Sequence, residues 1–380
     1  MHDDRTLDLM RSQAADGAGR VRAGRVRLAW LSWEAALFLL VSAIVAIILT
    51  ARLDEVDEPA SSGTRTIGGH DVLLECLALG AGRDVLISSG RDDTVRFWDL
   101  DPSKPTWQRE LLSLPHGTHP YALSPSPDGR YLAVGGSNLL TLWEARPEGW
   151  EVVATKEGTG SRYLAFSPDS RTLAIGGEDG EVRILAAPSL AEAAVLRGLT
   201  DMVHAVGFST DGATVAASSF RGEFLHWNWK TGREEPLSRQ LGRVDCFAFA
   251  PDGRSLATAP CRPGAGPEER GAKLWDLRTG ALQATFGEEG GNALAFSPDG
   301  GLLAVAGLDQ SIQVWDVGTK TLRGELDEGL GWVKAVLFTQ DGSRLAYGGR
   351  DGGIRFWDVP GPHGGEHLGA TGVRPKSKAG

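Results

Sequence analysis

From Gly63 to Pro360 the apolar and polar positions repeat. One unit reads as an apolar strand, a Ser-Pro-Asp-Gly turn, a second strand, a tight turn, and a third strand ending in Trp-Asp. The third strands are Val95-Arg-Phe-Trp-Asp99, Leu140-Thr-Leu-Trp-Glu144, Val182-Arg-Ile-Leu-Ala186, Phe224-Leu-His-Trp-Asn228, Ala272-Lys-Leu-Trp-Asp276, Ile312-Gln-Val-Trp-Asp316 and Ile354-Arg-Phe-Trp-Asp358. The Trp positions, with Leu185 in the third unit, step by 45, 42, 42, 48, 40 and 42 residues. A period of about 40–45 is that of one four-stranded repeat unit.

The turn is as regular as the Trp. It appears as Ser126-Pro-Asp-Gly129, Ser167-Pro-Asp-Ser170, Ser209-Thr-Asp-Gly212, Ala250-Pro-Asp-Gly253, Ser297-Pro-Asp-Gly300 and Thr339-Gln-Asp-Gly342. The first unit lacks it. Pro presets the early turn angle, Asp bonds back to the backbone, and Gly takes a positive φ. Alternation follows, as in Arg130-Tyr-Leu-Ala-Val-Gly-Gly136, which predicts a strand after each turn.

Two motifs repeating in phase resemble the WD-repeat β-propeller family over residues 64–360, about four fifths of the chain. The resemblance implies an all-β, seven-bladed ring of four-stranded antiparallel blades. Segments such as Ala281-Leu-Gln-Ala-Thr-Phe286 read as outer strands. The last unit stops at Val359-Pro360 without one, and Thr64-Arg-Thr-Ile67 is spare. Adding it to the last blade closes the ring and leaves no open edge.

The family also implies a buried network of His, Ser or Thr, Asp and Trp. The first unit carries all four as His70, Ser88, Asp92 and Trp98. The other closing residues are Trp143, Trp227, Trp275, Trp315 and Trp357, and most units lack the rest of the network. A half-satisfied buried network costs more than an apolar substitute, so those units rely on packing. His70 with Asp92 also resembles an oriented base. No nucleophile accompanies it, and the structural role is favoured.

Residues 28–50 are apolar except for Glu34 and two Ser. As a helix they span about 34 Å, enough for a hydrocarbon layer of about 30 Å. Trp30 and Trp33 suit an interfacial belt, and five arginines from Arg11 to Arg27 precede the segment. The expected organisation is a basic cytoplasmic segment (1–27), a transmembrane helix (28–50), a linker (51–63), the propeller (64–360) and a Gly-rich disordered tail (361–380). The propeller is expected on the outer, periplasmic or extracellular side. A cleaved signal peptide and an inverted topology are the other readings.

Composition supports this picture. The chain has 51 Gly and 12 Trp but only 3 Met and 3 Cys among 380 residues. High Gly and Trp fit turns and aromatic plugs. Three cysteines exclude a disulfide scaffold. Cys76 and Cys246 read as small core residues. Counting back about the turn at Asp252 puts residue 258 opposite Cys246, so a bridge to Cys261 is disfavoured. A net charge of −10 argues against a general nucleic-acid binder. An arginine-rich composition fits a bacterial source.

Phosphate loops, nucleophile elbows and HExxH are absent from the sequence. His363 and His367 flank glycines and make a poor metal pair. No enzyme activity, cofactor or metal is expected. The insert 259–270 is rich in Pro and Gly and reads as a projecting loop.

What the resemblance offers is a rim for protein or peptide partners. Carried onto matching positions, that face comprises His119, Tyr121, Arg162, Met202, His204, Arg243, Asp245, Asn292, Trp332 and Lys334, with Arg91, Phe220 and Arg350 before the turns. Trp332 stands out because it closes no blade. The expected function is a non-enzymatic, membrane-anchored interaction scaffold. The rival is a small-ligand or catalytic site at the central channel.

Overall fold

The computed structural model describes residues 64–80, 85–101, 103–104, 109–238, 241–261, 270–288, 290–307, 311–327 and 332–361. The expected cytoplasmic segment, membrane helix, linker and tail lie outside these residues, as does most of the insert. Among the described residues no helix is long and apolar enough to cross a membrane.

Seven antiparallel sheets of four strands each form the blades. Blade 1 runs Leu74–Leu79, Val85–Gly90, Thr94–Asp99 and Glu110–Pro115 from its inner to its outer strand. Blade 7 takes Val333–Phe338, Arg344–Gly349 and Gly353–Asp358 from its own repeat, and Thr64–Gly69 as its outer strand. Thr64 pairs with Trp357 and Gly69 with Gly353, with a bulge between Thr66 and Gly68. The ring therefore closes through the expected N-terminal strand, which runs two residues beyond Ile67.

The second strands explain the apolar runs in the sequence. Tyr131–Gly135 and Ser255–Ala259 are buried at every position. Both faces of a blade pack on neighbouring blades, so a fully apolar strand is favoured over an alternating one. The core accordingly sits between blades. One cluster joins Ile67, Ala346, Ile354 and Phe356 of blade 7 to Leu74, Leu86 and Trp98 of blade 1. Burying each such side chain contributes about 1.5–3 kcal/mol.

Trp98 sits on this seam. A Cβ on Gly68 would lie 2.2 Å from its ring, and Gly68 has a φ of +143°. The closing strand thus needs glycine opposite the indole.

Each turn is a small clamp. The first hydroxyl donates to the Asp two residues on at 2.6 Å, in the pairs Ser126–Asp128, Ser167–Asp169, Ser209–Asp211, Ser297–Asp299 and Thr339–Asp341. The same hydroxyl accepts the N–H five residues on, at 2.8 Å from Tyr131 and 3.0 Å from Thr172. Ala250 lacks the hydroxyl, and there Asp252 takes two backbone N–H bonds instead. Ser170 replaces the turn glycine at a φ of +62° and accepts the Asp128 N–H of blade 2 at 3.0 Å.

The fifth hairpin corrects one expectation. Cys246 lies opposite Ala259, not residue 258. Phe249 pairs with Leu256, so the turn centre falls between Asp252 and Gly253 and moves the register by one.

Two outcomes follow from this packing. Gly68→Ala should destabilise by about 2–4 kcal/mol, from overpacking plus backbone strain. Gly117→Ala, at a positive φ with nothing near its Cβ, should cost about 1 kcal/mol. Urea unfolding of the two variants checks the difference, and equal losses would remove Trp98 from the account.

The second concerns acid. Serine hydroxyls hold Asp169, Asp211 and Asp299 below the ordinary carboxylate value of 3.8. Ser343 and Thr339 hold Asp341 at about 2. Their pKa values are depressed in the folded state, so the stabilisation is present above pH 3.8 and is lost as pH falls toward 2. Thermal midpoints should fall across that window, and Ser167→Ala, Ser209→Ala and Ser297→Ala together should flatten the fall. An unchanged slope would assign acid sensitivity elsewhere.

Candidate interaction face

The blade ends differ. The Ser-Pro-Asp-Gly turns occupy one face of the ring. The opposite face is formed by the residues leading into the inner strands and by the turns between second and third strands.

Behind that second face the first blade builds its polar network. Trp98 Nε1–H donates to Ser88 Oγ at 2.8 Å, and Ser88 lies 2.7 Å from His70 Nε2. His70 Nδ1 lies 2.8 Å from Asp92. Burial lowers the His70 pKa, against the pull of Asp92. Burial would raise Asp92, but hydrogen bonds from Thr94 and His70 hold it below its ordinary value. A neutral imidazole then donates from Nδ1 to the carboxylate and accepts the Ser88 hydroxyl at Nε2. Every polar atom of the chain is used inside the blade.

The second blade lacks the middle link. His116 and Trp143 occupy the places of His70 and Trp98. Val134 stands where Ser88 does: each lies opposite the residue two before its tryptophan. His116 Nδ1 turns to the Thr118 carbonyl at 2.9 Å. His116 Nε2 and Trp143 Nε1 are buried without partners. Thr258 holds the matching position in blade 5 and accepts the Trp275 N–H at 2.9 Å.

Bulges shape the rim itself. The inner-strand ladders skip Glu75, His204, Asn292 and Lys334. Tyr121, Arg162 and Asp245 precede the first paired residue at the same place in their blades. A skipped residue is released from the sheet alternation and re-aimed. Seven polar residues are thus brought to one level of the ring.

Several of them meet. Arg91 Nε donates to Glu75 at 2.6 Å, and Lys334 Nζ lies 3.8 Å from the same carboxylate. The Arg162 guanidinium lies 4.8 Å from the centre of the Tyr121 ring. His119 pairs with Asp93 beside Tyr121. His204 packs between Tyr163 and Phe220 and donates from Nδ1 to the Asp245 carbonyl at 2.9 Å. Burial first, and the Glu75 charge second, push the Tyr163 hydroxyl up to about 12.

Arg243 has a different place from the others. It grips the buried Asp245 through two bonds of 2.7 and 2.8 Å and donates to the Phe220 and Arg221 carbonyls. Asp245 also accepts the Cys261 N–H at 2.8 Å and so anchors the start of the insert. Arg243 is therefore bound into the rim rather than presented from it. Trp332 is 60% exposed and Phe220 44%. Glu75 and Tyr163 were missed in the sequence. Glu75 carries a signal, since it follows Leu74 as His204 follows Val203 and Lys334 follows Val333.

Among the described residues no group of three or more His, Cys, Asp or Glu could hold a metal. Cys76, Cys246 and Cys261 form no disulfide. Burial pushes the Cys76 and Cys246 thiols up. A cavity of about 660 Å³ opens on the turn face at the blade 7–blade 1 seam, between Arg65, Asp99, Arg109, Asp341 and Arg344. Two of its aspartates are already engaged, Asp99 by Lys104 and Asp341 by Thr339 and Ser343.

The chain matches the WD40 family (WD domain, G-beta repeat) over residues 62–99, 109–144, 151–184, 280–316 and 319–358. It is 28% identical over 100 residues to human "U3 small nucleolar RNA-interacting protein 2", covering 24% of this chain and 21% of that one. It is 31% identical over 100 residues to human "THO complex subunit 6", covering 25% and 29%. It is 25% identical over 214 residues to zebrafish (Danio rerio) "Apoptotic protease-activating factor 1", covering 56% and 16%. The matched regions span less than a third of each relative's length.

The two buried networks give paired outcomes. Ser88→Ala should cost about 1–3 kcal/mol by stranding two buried polar groups. Val134→Thr should instead raise the thermal midpoint, because one hydroxyl can accept from Trp143 and donate to His116. A lowered midpoint would mean that position 134 does not face both atoms.

Proposed function

The chain carries WD40 repeats folded into a seven-bladed β-propeller, and from that premise we propose a non-enzymatic scaffold that docks other proteins on the bulge-lined face. The observation that carries this reading is Trp332. A large aromatic that closes no blade stands 60% exposed, two residues before Lys334 and with its carbonyl bonded by the Arg350 N–H. Aromatic and Arg side chains anchor protein interfaces. A relative named as a complex subunit supports the same class.

The scaffold is held at a membrane by residues 28–50, with its N-terminus cytoplasmic and the propeller on the outer side. This part rests on the apolar run and the five preceding arginines alone. Thr64 and Val359 both lie at the turn face, beside Trp357 and Ser343. The first described residue, Thr64, therefore lies on the face opposite Trp332. Tethering raises the effective concentration of a docked partner without tight affinity.

Affinity purification from the membrane fraction tests the reading. Trp332→Ala with Arg350→Ala should lose the co-purifying proteins, while Arg171→Ala with Arg254→Ala on the turn face should keep them. Unchanged proteins in the first variant would reject the face. Recovery of the chain outside the membrane fraction would reject the anchor.

A further inference from the structure

Resting on that docking reading, we propose that the partner offers an extended acidic segment with a large apolar side chain, bound across blades 7 and 1. Two neighbouring blades present the same pair of groups there. In blade 7 the Arg350 N–H donates to the Trp332 carbonyl at 3.3 Å. In blade 1 the Arg91 N–H donates to the Leu73 carbonyl at 2.9 Å, next to Val72. Each arginine is thus fixed to the loop that carries an exposed apolar residue, Trp332 at 60% and Val72 at 48%. The loops are packed close, since a Cβ on Gly352 would lie 2.2 Å from the Val72 carbonyl.

Two acids temper the charge of this patch, the buried Glu75 and the exposed Asp71 beside Val72. Glu75 has 7% of its side chain exposed and takes both Arg91 and Lys334. Among the described residues Arg350 has no acidic partner. Arg91, Lys334 and Arg350 set against Glu75 and Asp71 still leave the patch positive, on a chain whose net charge is −10. A carboxylate satisfies a guanidinium through two parallel bonds, and an apolar side chain covers Trp332. An acidic, apolar peptide supplies both. A nucleic acid meets the same cations but offers Val72 no apolar side chain.

The probe is a short fluorescein-labelled peptide of alternating glutamate and leucine, with its glutamine counterpart and a short oligothymidine as comparisons. Anisotropy is read on the full chain in detergent. The acidic peptide should bind most tightly and weaken with salt. Arg350→Glu with Lys334→Glu, and separately Trp332→Ala, should each weaken it by about tenfold or more. Arg171→Glu on the turn face should leave it unchanged. Matching thermal midpoints establish that the variants are folded.

Equal binding of the glutamine peptide, tighter binding of oligothymidine, no binding of the acidic peptide, or no effect of the variants would each overturn the acidic partner. If Trp332→Ala with Arg350→Ala still loses co-purifying proteins, the docking reading survives with another chemistry. If it does not, both fall together.

Discussion

The pairing of Thr64–Gly69 with Gly353–Asp358 is the constraint on which the rest depends. A propeller buries its core between blades, so an open ring exposes one whole seam. Here that seam holds Ile67, Leu86, Trp98, Ile354 and Phe356. The strand that closes it comes from the far end of the repeat region. Closure therefore ties residue 64 to residue 357 and supplies the fourth strand of the last blade. The fit is tight at Gly68, where the bulge and the missing side chain admit the Trp98 ring.

Once the ring is closed, its two faces serve different ends. The turn face is held by the same hydroxyl-to-carboxylate clamp in five blades, and such uniform local bonding leaves little freedom. The other face is built on inner-strand starts, four of them bulged, which place seven different polar residues at one level. Their backbones are shared by all blades, so their side chains vary without loss of fold. Where a rim residue is tied down, as Arg243 is by Asp245, the partner is local and nearly adjacent in sequence. Where it joins other blades, as Glu75 does through Lys334, the geometry belongs to the ring. The blade networks follow a stricter rule. Blade 1 uses every polar atom between Trp98 and Asp92, whereas blade 2 keeps two of the four groups and strands both.

Much of this was legible along the chain. The strand ends, the clamp turns, the closing Trp positions and the spare N-terminal strand all express local chemistry repeated at a fixed period. Blade 4 and the first three strands of blade 5 lie outside the family matches, yet the same alternation and turns place them. What was not legible is a matter of register. The fifth hairpin pairs Cys246 one residue further on because a turn centre is not marked by any single residue. Glu75 went unseen because a bulge shows only when a ladder skips a residue.

By itself, the sequence determined the number of blades, their strand order and the way the ring closes. Periodicity, turn residues and one unpaired strand are properties of neighbours in the chain. Only the tertiary structure decided which rim residues meet. Arg91 reaches Glu75, and Lys334 comes to that carboxylate from the other end of the chain, because closure brings blades 7 and 1 together. That contact depends on backbone register summed around the ring, which no local pattern encodes.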